Sequence, residues 1–188
     1  MTLPKSAKRV FKGKIFDVYQ WRQKMFDGSY KIFERVKRQD TVIIIATIKN
    51  KIVILKQKQP DTGWYYSNPA GRMDIPGEKP LVAAKRELLE ETGMVAKKLF
   101  LWKKIKKTGK VIHTVYFYIA RDCKKVAEQK LDAGEKIKVE LISFEDYLKL
   151  TDDPRSHVRA YLQESLIDMY KARLYPKYKK YLKKVMFG

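Results

Sequence analysis

The residues best suited to chemistry form one short run, Arg86-Glu87-Leu88-Leu89-Glu90-Glu91-Thr92-Gly93-Met94, preceded by Gly71 and Glu78. Positions 87, 90 and 91 are related by steps of three and four, so on an α-helix their carboxylates share one face. Like charges at those steps repel by about a few tenths of a kcal/mol per pair, a penalty that a bound divalent cation would remove. Magnesium suits such a face. It is a hard cation that takes oxygen ligands, commonly one or two carboxylates, and leaves positions for water and substrate phosphates. The natural substrate is then a phosphate anhydride. The competing reading is a plain solvated acidic helix face, and the surrounding residues decide between the two.

The run needs a helix, predicted from about Pro80 to Thr92, with Pro80 tolerated in the first turn and Gly93 placed to stop it. Leu81, Val82, Leu88 and Leu89 are its expected anchors to a sheet. Thr41 to Ile48 (TVIIIATI) and Ile52 to Lys56 are β-branched runs joined by Lys49-Asn50-Lys51, predicting a hairpin whose first strand is fully buried. Upstream, Gly13 to Met25 and Tyr30 to Lys37 flank Phe26-Asp27-Gly28-Ser29, where the Asp-Gly pair signals another hairpin. Strands are predicted near Lys97 to Lys106, Val111 to Arg121 and Lys136 to Ser143, then a helix from Phe144 to Leu150. From Pro154 the pattern is helical, broken or restarted at Pro176. The class is α+β. The division is an N-terminal β flap over 1–40, a catalytic core over 41–152 and a basic helical segment over 153–188, all in one structural domain.

A chain of 188 residues with 45% hydrophobic content can bury one sizeable core. It shows no apolar run of roughly eighteen residues, so a membrane span is not expected and the protein reads as cytoplasmic. Cys123 is the only cysteine, which excludes an internal disulfide, and with only His113 and His157 as histidines a zinc site or a Ser-His-Asp triad is disfavoured. Glutamates are left as the acid-base groups. The formal charge of +21 would steer anionic ligands and favour RNA contact, while scattered lysines read equally well as a solvated surface. Trp64-Tyr65-Tyr66 and Trp102 could stack a base or pack in a core. The segment Tyr161 to Phe187 interleaves tyrosines with lysines, as an RNA grip or as an amphipathic helix.

The acidic run resembles the signature of the Nudix hydrolases: Gly, five residues, Glu, seven residues, then Arg-Glu-apolar-any-Glu-Glu-any-Gly-apolar. Glu78, Arg86, Glu87, Leu88, Glu90, Glu91, Gly93 and Met94 fall where the pattern wants them, whereas six residues, Arg72 to Gly77, separate Gly71 from Glu78. The resemblance implies an α/β/α sandwich with a mixed sheet, and Mg2+ (or Mn2+ as a substitute) held by Glu87, Glu90, Glu91 and the carbonyl of Ala70. Arg86 would orient the glutamates, Gly71 would admit the close backbone approach, with Arg72 beside it on the substrate side, and Glu78 would brace the loop.

Beyond this run the chain is similar to the ADP-ribose pyrophosphatase subfamily, through Pro69-Ala70-Gly71, the N-terminal flap and Phe33-Glu34-Arg35-Val36-Lys37-Arg38. That likeness implies that an aromatic at Phe33 stacks on adenine across a homodimer interface, with plain strand core as the alternative, and that Arg38 contacts the diphosphate or ribose. It departs at Gln59, where an arginine is usual, and at Ser67, where a glutamate is usual. The implied general base is a loop glutamate, matched by Glu135, with Asp132 and Glu140 as alternatives. The expected reaction is Mg-dependent hydrolysis of a nucleoside diphosphate linked to another moiety, ADP-ribose or an ADP-sugar, to AMP and a sugar phosphate. An RNA 5′-end pyrophosphohydrolase and a non-catalytic nucleotide sensor are the competing readings.

Overall fold

The computed structural model describes residues 3–156 and 163–188. Among these residues ten strands form one mixed sheet: β1 (Lys8–Lys12), β2 (Phe16–Lys24), β3 (Tyr30–Arg38), β4 (Thr41–Ile48), β5 (Lys51–Lys58), β6 (Tyr65–Ser67), β7 (Ala70–Arg72), β8 (Met94–Thr108), β9 (Val111–Lys125) and β10 (Lys136–Ile142). The helices are α1 (Pro80–Thr92), α2 (Phe144–Lys149), α3 (Gln163–Leu174) and α4 (Pro176–Phe187). The main path runs β1-β2-β3-β9-β4-β5-β10, with β6 on β5, β7 on β4 and β8 on β9. β9 pairs in parallel with β3 and β4, and the other pairings are antiparallel.

The apolar run Val42 to Ala46 of β4 is buried on both faces, because the sheet is covered on both sides. Side chains alternate along a strand, so Val42, Ile44 and Ala46 meet α1 while Ile43 and Ile45 meet the C-terminal helices. β5 and β9 divide likewise, sending Val53, Tyr118 and Ala120 one way and Ile52, Ile54, Phe117 and Ile119 the other. This is the sandwich that the resemblance implies. No helix among the described residues is long and apolar enough to cross a membrane.

The expected elements are present with shifted ends, and the differences have local causes. The flap has a third strand, β1, whose residues are all exposed, so pairing with β2 defines it and no apolar pattern announces it. β2 begins at Phe16 because Gly13 turns the chain, its N–H donating to the Phe16 carbonyl at 2.9 Å. β6 and β7 are three residues each, interrupted by Asn68-Pro69, too short for periodicity to reveal. The start of the helical tail falls partly outside the described residues, Tyr161 included.

The anchors of α1 also differ from expectation. Of the four predicted, Leu88 alone is buried, while Leu81, Val82 and Leu89 are exposed. Ala83, Ala84 and Leu88 make the contact instead. Alanines let the helix axis approach the sheet closely, which larger side chains would prevent.

Candidate active site

Three pieces of backbone converge on α1. The first is the Asn68 to Arg72 segment, held to β4 by Ile43↔Ala70 and Val42↔Gly71 pairing and by the Ile44 N–H donating to the Pro69 carbonyl at 2.8 Å. The Ala70 N–H donates to Glu91 Oε2 at 2.9 Å. At Gly71, an added Cβ would lie 1.9 Å from the Glu87 carboxylate. Glycine therefore leaves the Glu87 carboxylate where it is, since any side chain at this position would have to displace it.

The second piece is Arg72 to Lys79, tied down by Arg86. Its Nε and Nη2 donate to the two oxygens of Glu78 at 2.9 and 3.0 Å, Nη2 to the Arg72 carbonyl at 3.2 Å, and Nη1 to Glu87 at 2.7 Å and Glu90 at 3.1 Å. A planar guanidinium with donors in a fixed fork can serve all four groups at once, which lysine cannot. Glu78 lies before the helix, whose N-cap is Lys79, so it acts as the bidentate partner of Arg86. The additional residue of this loop is absorbed by a turn, with the Glu78 N–H donating to the Ile75 carbonyl at 3.1 Å and Gly77 at φ +78°.

The third piece is the loop from Val126 to Glu135, docked on the C-terminal end of α1. Gly93 adopts φ +69°, and an added Cβ would lie 2.1 Å from the Ala127 carbonyl oxygen. The Lys130 N–H donates to the Glu90 carbonyl at 2.8 Å, and Gln129 Nε2 to the Glu91 carbonyl at 2.6 Å. These contacts bring Glu135 within electrostatic reach of Glu90, Glu91 and Arg72.

Burial sets the proton affinities. Desolvation pushes Glu87 up to about 7 against the opposing charge of Arg86, and pushes Glu91 well above the carboxylate range against the Ala70 N–H. Glu135 is raised by burial too, opposed by the Asp132 N–H. Arg86 is held firmly charged, chiefly by Glu78.

Among the described residues no three His, Cys, Asp or Glu side chains gather as a ready metal cage, and Arg86 Nη1 bonds both Glu87 and Glu90. The residues nevertheless fit a hard divalent cation. Two desolvated carboxylates one helical turn apart hold raised proton affinities in spite of Arg86, the Gly71 gap adjoins one of them, and magnesium needs only one or two carboxylates beside water and phosphate.

Beside this cluster runs a groove of about 420 Å³, with Lys14, Asp17, Lys37 and Arg38 on the flap side and Asp74 and Glu78 on the loop side. The Arg38 Nε is buried without a hydrogen-bond partner among the described residues. Phe33 lies outside the groove, five positions along β3 from Arg38 and so about 17 Å away. It is 42% exposed and its ring centroid is 6.1 Å from that of Trp21, so it is not strand core. The two departures from the subfamily pattern have local partners: Ser67 accepts from Gln57 Nε2, and the Gln59 N–H donates to Thr62.

Sequence reasoning missed several supporting residues. Asp40 accepts the Met73 N–H at its carbonyl (2.9 Å) and the Thr114 N–H at Oδ1 (2.8 Å), linking loop and sheet. Gln129 had no signal, being one polar loop residue among many. Asn68 could have been found from its place before Pro69-Ala70-Gly71; it is buried, and the Tyr147 hydroxyl donates to its Oδ1 at 2.9 Å.

An acidic helix whose carboxylates meet a Pro-Ala-Gly strand, under an arginine that ties both to the loop between them, defines a class of hydrolase. The NUDIX domain model matches residues 37–162, and the chain belongs to the Nudix family. Among curated proteins it is similar to the ADP-ribose pyrophosphatase of Bacillus subtilis (strain 168), 32% identical over 151 residues, 78% of this chain and 81% of that one. Among solved structures it resembles an ADP compounds hydrolase at 19% identity, TM-score 0.72, covering 92% of each chain, which establishes a shared fold.

Proposed function

We propose that the protein hydrolyses ADP-ribose or a related ADP-sugar to AMP and a sugar phosphate, with Mg2+, or Mn2+ in its place, as the metal. The observation that carries this reading is the convergence of the Ala70-Gly71 strand on Glu87 and Glu91. The similarity to an ADP-ribose pyrophosphatase supports the substrate class. Glu87, Glu91, Glu90 and the Ala70 carbonyl would hold the metal. When bound, it supplies charge that polarises the anhydride and acidifies a water.

The chain's own residues do the rest. Arg86 fixes the rotamers of Glu87 and Glu90 and anchors the loop through Glu78 and the Arg72 carbonyl. Arg38, whose guanidinium carries five donors and which lines the groove, suits a phosphate or ribose oxygen. Water adds to phosphorus, the bridging P–O bond breaks, and the water's proton passes to a base. Glu135 suits that role, because its Oε2 accepts the Asp132 N–H at 3.2 Å and leaves Oε1 for the proton. Glu140 fits poorly, because it pairs with Ile54 and so lies on the sheet face opposite α1. The exposure of Phe33 suits a stacking surface lent to a second copy in a homodimer.

The test is phosphate-ester release from ADP-ribose, ADP-glucose, GDP-mannose, NADH, diadenosine polyphosphate and 5′-triphosphate RNA with Mg2+, beside Glu91→Gln. Fastest turnover of ADP-ribose and a dead variant are expected. Preference for the RNA would replace the substrate class, and tight ADP-ribose binding without turnover would make the protein a sensor.

A further inference from the structure

β10 is the edge of the sheet beyond β5, and on its outer half the side facing away from α1 is basic and aromatic. Lys136 pairs with Lys58, Lys138 with Lys56, and Lys56 with Tyr66. Cross-strand partners share a face, and Ile54, two residues before Lys56, fixes that face as the one opposite α1. Trp64, just before β6, joins them: it is 39% exposed, and Lys138 Nζ stands 5.6 Å from its ring centroid. The Arg155 guanidinium lies 5.6 Å from the Tyr66 ring. The acids nearby do not neutralise the patch, since Asp153 is paired with Arg155 at 2.9 Å and Glu140 is a single charge at its margin.

We propose that this β5–β6–β10 surface binds single-stranded nucleic acid, a base stacking on Trp64 and the phosphates meeting Lys56, Lys58, Lys136 and Lys138. An exposed indole amid lysines on a sheet accepts any unpaired base, whereas duplex bases present no free face. Lysines alone would serve to guard an edge strand against pairing with other chains, but such protection does not require an exposed indole beside them. An acidic peptide would use the charges and leave the indole idle. The surface starts one residue after Glu135, and Pro60 packs 3.8 Å from the Cβ position of Gly134.

The test is fluorescence anisotropy of the full chain with labelled single-stranded RNA, single-stranded DNA and duplex over a series of salt concentrations. Single strands should bind more tightly than duplex. Trp64→Ala should weaken binding roughly tenfold with the salt dependence unchanged. The double variant Lys56→Gln/Lys138→Gln should reduce the salt slope by about 1.4, or about 0.7 per lost phosphate contact. Lys104→Gln/Lys106→Gln on β8 removes the same charge and should alter neither, with thermal melts verifying that each variant is folded. Equal losses from the β8 control, equal affinity for duplex, or no binding by the wild-type chain would each overturn the proposal. ADP-ribose hydrolysis, read separately, should be unaffected by the platform variants, so the two readings fail independently.

Discussion

On one side of the sheet α1 rests on Ala83, Ala84 and Leu88; on the other, α2, α3 and α4 bring Phe144, Tyr147, Leu148, Met169, Leu182 and Met186 against β4, β5 and β9. The first layer buries little apolar side chain and also buries two carboxylates. The second buries large apolar side chains and keeps Asp168, its buried acid, paired with Lys103 and Tyr178. Burying apolar surface stabilises at roughly 25 cal/mol per Å², while burying a charge without a partner costs several kcal/mol. Stability is thus concentrated behind the sheet, and the candidate site in front of it.

Substitutions in the two layers should accordingly separate activity from stability. The largest effect is expected for Glu91→Gln, whose turnover of ADP-ribose should fall by roughly 10³-fold, the scale lost with a principal transition-state charge stabiliser. Its melting temperature without metal should hold or rise, since a buried carboxylate has become neutral. A collapse in stability instead would mean that the acid belongs to the scaffold. Phe144→Ala should do the reverse, costing about 3–5 kcal/mol and lowering Tm by roughly 10 °C, with the kcat of the folded fraction near wild type.

Gly71→Ala comes next. Its Cβ must displace Glu87, so kcat/KM should drop about 10²-fold through misplacement of the acid, and Mg2+ titration should show weakened activation. The metal-free protein should also show a pH dependence tied to the front layer. Burial raises the folded pKa of Glu87, beside Arg86, Glu90 and Asp74, to about 7 from the ordinary 4.5, so the folded state binds more protons between those limits. The contribution of Glu87 is then lost as pH rises from about 4.5 to about 7, a change on the order of 3 kcal/mol, and the raised Glu91 extends the fall above that window. Thermal melts in chelator from pH 5 to 8 should show this slope, and Glu87→Gln should reduce it between pH 5 and 7.

The smallest change links the layers. Tyr147 reaches from α2 to Asn68, two residues from Ala70. Tyr147→Phe should cost about 1–2 kcal/mol by leaving a buried amide oxygen unpaired, and should lower kcat a few-fold. A loss of stability with kcat untouched would show the layers to be independent.

The front layer was the more legible in sequence, because its chemistry is local. Glu87, Glu90 and Glu91 share a helix, and spacing alone places them on one face. Glu78 as the partner of Arg86 was half visible, since nothing in the sequence measures how the loop folds back. The back layer's helices were evident as a pattern, but which of their residues enter the core depends on packing across positions far apart in the chain. The anchors of α1 were misjudged for the same reason. Hydrophobicity favoured Leu81, Val82 and Leu89, while the required closeness of helix to strand selected Ala83 and Ala84. Glu135 was legible in position through the resemblance, but its electrostatic meeting with Glu90 and Glu91 comes from loop contacts that no local pattern encodes.

The docking of the Val126–Glu135 loop on Gly93 and on the carbonyls of Glu90 and Glu91 has an evolutionary consequence. The first half of that segment, Val126 to Lys130, is indexed to main-chain atoms at the end of the helix that carries the candidate acids, so the residues that follow can change while their point of departure stays fixed. Such a loop behaves as an exchangeable cassette. A lineage could acquire new leaving groups by rewriting those few residues while the helix and its glutamates stay constant.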